Sequence, residues 1–355
     1  MKLNDITVLM SACGSPSIPG MIKCLKENGE RNIRVIGVDM DDDPTTQYLV
    51  DAFYRVPAAS APEYCDIVLE ICRKEKVDIY FPNISAEVSA VVARQDDFEQ
   101  LGVRLSVSNL ESIAISNNKL RAYEVLKAAG IAVPEFYPVH SVEDFITGCE
   151  CMGYPDKPVC LKVVDGSGSR GVRIIDSRVS RYDIFAHQKP NSFYTSYEDM
   201  LSVLRSASKL DEMMLVECMH GPEYTVDLLA EDGKVVYIAG RENIDSLMSI
   251  AQKSIVKRDE LAYKTAMQIV KALNMSGNVG FDFMRNDVGD AILMDINPRI
   301  TATVSVIAAA GLNLIYMRVK QLLGEELPQV EVDYGTFLRR RYLETFTDSK
   351  GGLIQ

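Results

Sequence analysis

The stretch GFDFMRNDVGDAILMDINPR, residues 280–299, reads as a β-hairpin. Apolar and polar residues alternate from Gly280 to Arg285 and again from Ala291 to Asn297. Asn286, Asp287, Gly289 and Asp290 supply turn chemistry between the two runs. With the loop symmetric about Val288 and Gly289, Asp282 and Asp295 fall opposite each other on paired strands. Directly opposed Cβ atoms sit roughly 4.5–5.5 Å apart, and like charges there repel. Asn297 lies two residues past Asp295 and so shares its face. Two carboxylates and an amide oxygen on one face suit a hard divalent cation such as Mg²⁺, which cancels the repulsion. Pro298, with no N–H, stops the strand, and Arg299 follows where the chain leaves the sheet. Phe281, Phe283, Met294 and Ile296 make the opposite face a core face. A solvated strand face that carries acids is the alternative reading.

The 355-residue length suggests two or three domains. At 47% hydrophobic and 25% charged, the composition is that of an ordinary globular protein. A net charge of −12 and a pI near 4.9 argue against a nucleic-acid surface, though local Lys and Arg can still hold an anion. Among the eight cysteines there is no C-x-x-C pair; Cys149 and Cys151 are close but lack partners at zinc spacing. With no signal peptide and no apolar run of about 18 residues, no membrane span is expected, and a reducing cytoplasmic compartment is. Three histidines leave little material for mechanisms built on His–Ser or His–Cys pairs.

Outward from the hairpin, residues 5–115 alternate strands and helices. Ile6–Met10, Arg34–Asp39 and Asp78–Pro82 read as strands, and Met21–Asn28 and 63–76 as helices. This βαβ rhythm predicts a doubly wound parallel sheet. The Gly/Ser/Pro loop from Ser11 to Gly20 invites a dinucleotide-binding reading with Asp39 as the ribose acid. It lacks G-x-G-x-x-G, so a substrate-side or structural loop is the stronger expectation. Further on, Asn118–Gly130 is a helix, and Val159–Val163, Arg173–Ile175 and Met213–Glu217 are strands. Tyr224–Ala230 pairs with Lys234–Gly240; Asp259–Leu273, Thr303–Ala310 and Leu314–Leu323 are helical. Residues 178–197 look like a polar, tyrosine-bearing insertion.

Lys162 lies in an apolar strand, where a lysine costs desolvation unless an anion meets it. The loop Asp165-Gly166-Ser167-Gly168-Ser169-Arg170-Gly171 comes immediately after. Gly166, Gly168 and Gly171 let backbone approach phosphate, and Ser167 and Ser169 add donors. A hairpin turn of the same composition reads the same way on its own. Glu217 ends an apolar strand, Cys218 and Met219 continue extended, and Glu223 follows the turn. Such a segment can meet a purine edge by backbone and ribose by carboxylate; an ordinary hairpin with two surface acids is the alternative.

Taken in order, Lys119, Lys162 before G-S-G-S-R-G, Glu217 with Glu223, Asp282, then Asp295-Ile296-Asn297-Pro298-Arg299 resemble the ATP-grasp superfamily. The pattern is similar to the carbamoyl-phosphate synthase large-subunit and biotin carboxylase branch and covers nearly the whole chain. Aspartate stands at 295 where that family usually has glutamate, one methylene longer. The resemblance implies a doubly wound parallel α/β domain over 1–114. A two-lobed ATP-grasp fold follows over 115–322, with a mobile lid at about 130–220. A C-terminal segment, 323–355, packs on the core.

The same resemblance implies that Lys119 and Lys162 hold ATP phosphates under the Gly166–Gly171 lid loop. Glu217, Cys218 and Met219 line the adenine slot and Glu223 meets ribose. Asp282, Asp295 and Asn297 bind Mg²⁺ or Mn²⁺. Arg299 stabilises charge on the transferred phosphoryl group, and Arg241 faces the γ-phosphate or is a surface arginine. The implied activity is Mg·ATP-dependent ligation of a small carboxylate to an amine-type acceptor through an acyl-phosphate, on an amino-acid or peptide-type substrate. The length is about one ATP-grasp unit. A regulatory or partner-dependent ATP-binding subunit is the alternative, and a homodimer through the N-terminal domain follows by analogy. Arg339-Arg340-Arg341 reads as an anion site or, more simply, as a solvated or salt-bridged basic run.

Overall fold

Uninterrupted apolar runs near the start of the chain build a parallel sheet covered on both faces, as such runs require. In the computed structural model, which describes residues 3–354 other than 167, 169, 190, 191, 248, 249, 287, 342, 350 and 351, this sheet has five strands. They are β1 (Ile6–Met10), β2 (Ile33–Asp39), β3 (Ala52–Arg55), β4 (Ile79–Phe81) and β5 (Arg104–Leu105), in the order β3-β2-β1-β4-β5. Every pairing is parallel, giving the doubly wound arrangement expected. Ile6, Val8 and Met10 enter one core and Leu9 the other. The first helix is Ile18–Lys26, so the Ser11–Gly20 loop ends earlier than the sequence suggests. Pro19 sits in its first turn, where a missing N–H costs nothing.

A second, mostly antiparallel sheet follows. Its strands are β6 (Phe136–Val139), β7 (Val159–Val163), β8 (Val172–Ile175), β9 (Tyr194–Thr195) and β10 (Met213–Glu217), in the order β6-β10-β7-β8-β9. Helices Val142–Cys151 and Tyr197–Ser206 cover one face through Phe145, Leu161, Leu204 and Leu215. Alternation sends Lys162 to the other face. On that face Val164, Met214 and Val216 pack on Leu120 and Tyr123 of helix Lys119–Ala128. Within the stretch 178–197 lie helix Arg181–His187 and β9, which pairs parallel to β8 and so extends this sheet.

The third sheet has six strands: β11 (His220–Glu231), β12 (Lys234–Leu247), β13 (Ile250–Val256), β14 (Gly277–Arg285), β15 (Ala291–Asn297) and β16 (Phe337–Arg339). Their order is β15-β14-β11-β12-β13-β16, all antiparallel. One face packs on helices Glu260–Ala272 and Lys119–Ala128 through Val226, Leu228, Phe281, Phe283 and Ile269. The other face divides. Leu229, Ala239 and Val256 join β1 and helices Ser305–Ala309 and Leu314–Leu322 in one continuous core. Past them that face turns polar. Beyond β16, the short pair β17 (Phe346–Thr347) and β18 (Leu353–Ile354) is exposed.

Candidate active site

The polar part of the large sheet begins with the β14–β15 register. Asp282 pairs with Asp295, Phe281 with Ile296 and Gly280 with Asn297. Between Asp282 and Phe283 the register slips, so Phe283 meets Leu293 and Met294 is the extra residue of a bulge. Leu293, rather than the expected Met294, therefore joins Phe281 and Phe283 in the core. The Met294 carbonyl accepts a hydrogen bond from Tyr123 Oη at 2.9 Å, fastening helix Lys119–Ala128 to the bulge. The Asp287 of the expected turn lies outside the described residues.

Asp282 is held on both oxygens: Thr225 Oγ1 donates to Oδ1 at 2.7 Å and Asn297 Nδ2 to Oδ2 at 3.0 Å. Burial, then the charge of Glu223, pushes its carboxyl up to about 7 despite the Thr225 bond; Asp295 adds to the rise. A carboxyl raised by its acidic neighbours is one that a divalent cation relieves, and the Asn297 oxygen is left for that cation. Two carboxylates and an amide fit a hard ion. Among the described residues no group of three or more His, Cys, Asp and Glu is placed to hold a metal.

Lys119, first residue of its helix after the Asn118 cap, donates to Gly166 O at 2.7 Å and lies 3.5 Å from Asp295. It thus joins the glycine loop to the hairpin. Lys162 is 9% exposed and has no hydrogen-bond or ion-pair partner among the described residues. In the loop, Gly168 (φ +62°) and Gly171 (φ +69°) are left-handed. A Cβ at Gly171 would come within 2.4 Å of Val163 Cγ2. Ser167 and Ser169 lie outside the described residues.

Glu217, at the end of β10, accepts from Glu135 N at 3.3 Å; Cys218 is half-buried and Met219 buried. Glu223 lies on β11 opposite Asn243, where its charge acts on Asp282. Arg299 is half-buried, and its Nε is buried with no partner among the described residues. Burial lowers its pKa, offset in part by Asp295, Asp282 and Glu87.

Arg241 is 4% exposed, so the surface-arginine alternative is corrected. It pairs with Asp227 at 3.0 Å and donates to Thr301 at 3.3 Å and to Asn243. Thr225, Asp227, Asn243 and Thr301 are site-face residues that sequence reading missed. For Thr225 and Asp227 the one signal was polar residues at alternate positions in an otherwise apolar run, which also fits a solvated face; Asn243 and Thr301 carried none. Gly280 lets Thr301 cross the sheet, since a Cβ there would fall 2.0 Å from Thr301 Cγ2.

Outside the hairpin, the structural reading of the Ser11–Gly20 loop holds, and the basic run changes at Arg340 alone, Arg339 and Arg341 being exposed. Arg340 does not form a solvated or salt-bridged run: it donates to Ala251 O (3.1 Å), Ala302 O (3.2 Å) and Pro16 O (3.4 Å). Arg339 lies over the Phe337 ring. Asp39 accepts from Gly14 N at 2.6 Å and Asp41 N at 3.0 Å, so it braces its own loop. A cavity of about 390 Å³ opens on the far face of the sheet, between Tyr224, Phe283 and the ion pairs Lys257–Glu242 and Arg285–Asp259. The sheet separates it from the carboxylates.

Residues 209–346 match the family model described as ATP-grasp in the biosynthetic pathway with Ter operon. The chain carries an ATP-grasp domain. Ahead of it, residues 8–106 match a PylC-like N-terminal domain. The chain is 22% identical over 346 residues to the carbamoyl phosphate synthase large chain of Pseudothermotoga lettingae. The match takes in 92% of this chain and 28% of that one, so the chain spans under a third of that relative. Solved structures share the fold. N5-carboxyaminoimidazole synthetase from Staphylococcus aureus superposes with a TM-score of 0.67 at 15% identity, over 94% of this chain and 81% of that one. Biotin carboxylase from Campylobacter jejuni gives 0.66 at 18%, over 92% and 73%. ATP-grasp family members are ligases that form C–N bonds. No helix among the described residues is long and apolar enough to cross a membrane.

Proposed function

We propose that this chain is an Mg·ATP-dependent ligase that joins a small carboxylate to an amine through an acyl-phosphate, with an amino-acid or peptide-type substrate. The observation that carries the reading is the convergence on one sheet face of Asp282, Asp295 and Asn297, with Lys119 beside Asp295, while Lys162 is buried with no partner among the described residues.

In this reading Lys119 and Lys162 hold the phosphates beneath the Gly166–Gly171 loop, with Ser167 and Ser169 as further donors. Glu217, Cys218 and Met219 receive adenine, and Glu223 the ribose. Asp282, Asp295 and Asn297 hold Mg²⁺ or Mn²⁺, which supplies charge neutralisation at the phosphates. Substrate carboxylate oxygen attacks the γ-phosphorus, the β,γ P–O bond breaks and ADP leaves. The amine then attacks the acyl carbon, loses a proton and expels phosphate. Arg299, whose Nε has no partner among the described residues, meets the negative charge of the phosphoryl group. Arg241 acts through its neighbours, since Asp227, Asn243 and Thr301 occupy it. Pairing of two copies through the N-terminal domain is part of the same proposal.

The test is ADP and phosphate release from Mg·ATP against amino acids, dipeptides, small carboxylates and bicarbonate, with and without ammonia. Release that depends on one carboxylate supports the ligase. ATP binding without release on any of them favours a regulatory or partner-dependent subunit. Asp295→Ala is expected to abolish release while the melting temperature stays near that of the wild type, because that side chain is 38% exposed. Undiminished turnover in the variant would sink the site assignment.

A further inference from the structure

The polar face of the large sheet carries a row of hydrogen bonds whose direction is set from one end. Arg241 has donors only. It donates to Asn243 Oδ1, which settles the amide orientation: Nδ2 points away, to Glu223 Oε1 at 2.5 Å and Thr225 Oγ1 at 3.1 Å. A threonine hydroxyl has a single hydrogen. With the Asn243 N–H directed at its oxygen, that hydrogen goes to Asp282 Oδ1 at 2.7 Å. Asn297 Nδ2 closes the row on Asp282 Oδ2 at 3.0 Å. Every link runs donor to acceptor from the guanidinium to the carboxylate. Thr225 is 1% exposed and Asn243 8%, so neither is open to a ligand in the cleft.

We propose that Thr225 and Asn243 are positioning residues, which fix the rotamer of Asp282 and present that carboxylate, with the Asn297 oxygen, to the cation. The proposal rests on the metal reading above and goes beyond it, because the family pattern at 282, 295 and 297 says nothing about strands β11 and β12. The strand pairing explains the choice of residue. Thr225 is the partner of Arg241 on one side and of Asp282 on the other, so only a short side chain fits there. A hydroxyl on that short side chain can accept from one neighbour and donate to the next.

The test uses the full chain and Mn²⁺ as probe, with binding read by electron paramagnetic resonance in the presence and absence of a non-hydrolysable ATP analogue. Thr225→Val keeps the shape and removes the relay; Mn²⁺ affinity is expected to fall on the order of 10- to 100-fold. Thr225→Ser, which keeps the hydroxyl, is expected to stay within about threefold of wild type, the residue of a bond re-formed at a freer rotor. Asn243→Leu is expected to weaken Mn²⁺ in the same direction. A fluorescent ATP analogue measured in EDTA reports the nucleotide site without metal, and its affinity should move less than that for Mn²⁺. A general loosening of the domain would move both together.

Wild-type Mn²⁺ affinity in Thr225→Val, or no recovery in Thr225→Ser, overturns the proposal. If circular dichroism shows Thr225→Val unfolded, Asn243→Leu and Thr225→Ser carry the same comparison. No Mn²⁺ binding by the wild type, with or without the analogue, removes the metal reading itself and this inference with it. That result is distinct from one in which the wild type and the variants bind Mn²⁺ alike.

Discussion

Lys162 and Arg241 are both buried cations, yet they stand in opposite conditions. Arg241 is paired with Asp227, and a buried pair of this kind loses stability when one partner is removed. Lys162 has no such partner among the described residues, so its burial is a cost that the free protein bears. Lys162→Met is therefore expected to raise the melting temperature of the free protein while weakening ATP binding at least tenfold, the trade that functional charges impose. Thermal unfolding with and without Mg·ATP checks both halves; a melting temperature that falls with ATP binding intact would count against a phosphate role. Lys162 was legible in the sequence, because a lysine in the run from Val159 to Val164 stands out. Thr225, Asp227 and Asn243 were not. Alternating polar residues read as solvent-facing until the neighbouring strands and the loop at Thr301 are seen to cover them.

Among elements, the long strands and helices were legible and the short ones were not. β1, β7, β10 and the β14–β15 hairpin follow apolar runs or alternation and turn chemistry. β5 and β9 have two residues each, too few to show a period, and owe their existence to the neighbour they pair with. The bulge at Met294 was hidden for a different reason: one extra residue inverts the alternation after it, and Met294 and Leu293 are equally apolar. Between β2 and β3, Asp51 does work that no periodicity reports. It accepts from Val35 N at 2.7 Å and from Lys26 at 2.9 Å. Burial raises its pKa, but the Val35 N–H and Lys26 outweigh it and hold the carboxyl below its ordinary value. A lowered pKa contributes stability above the ordinary carboxylate range, lost as pH falls through it. Asp51→Asn is thus expected to lower the melting temperature at neutral pH, with the gap to wild type closing in acid. A gap that stays constant down to low pH would show the charge to be irrelevant.

At the scale of the whole molecule, the N-terminal domain and helix Leu314–Leu322 are joined by charge as well as by the core they share with the large sheet. Arg31, 2% exposed at its side chain, pairs with Glu325 at 2.5 Å and donates to Tyr316 Oη at 3.1 Å. Lys320 reaches Glu30 at 2.7 Å. Arg31→Leu leaves Glu325, 24% exposed, with Lys320 alone at 3.8 Å and is expected to cost about 2 kcal/mol. Adding Glu325→Leu should recover much of that loss. Chemical denaturation of the two variants decides it, and equal stability of single and double variants would show the pair to be uncoupled. The doubly wound topology was legible from strand and helix rhythm, but this junction was not, since its partners lie near opposite ends of the chain.

That separation bears on how the protein is made. Ile6, Val8 and Met10 share their core with Leu314, Ile315 and Val319. Translation proceeds from the N-terminus, and most domains complete themselves as they emerge. Here the first strand waits for a helix synthesised some three hundred residues later, so the nascent sheet leaves the ribosome with one apolar face bare. The interval in which this face is exposed to aggregation includes the time needed to translate everything between β1 and helix Leu314–Leu322.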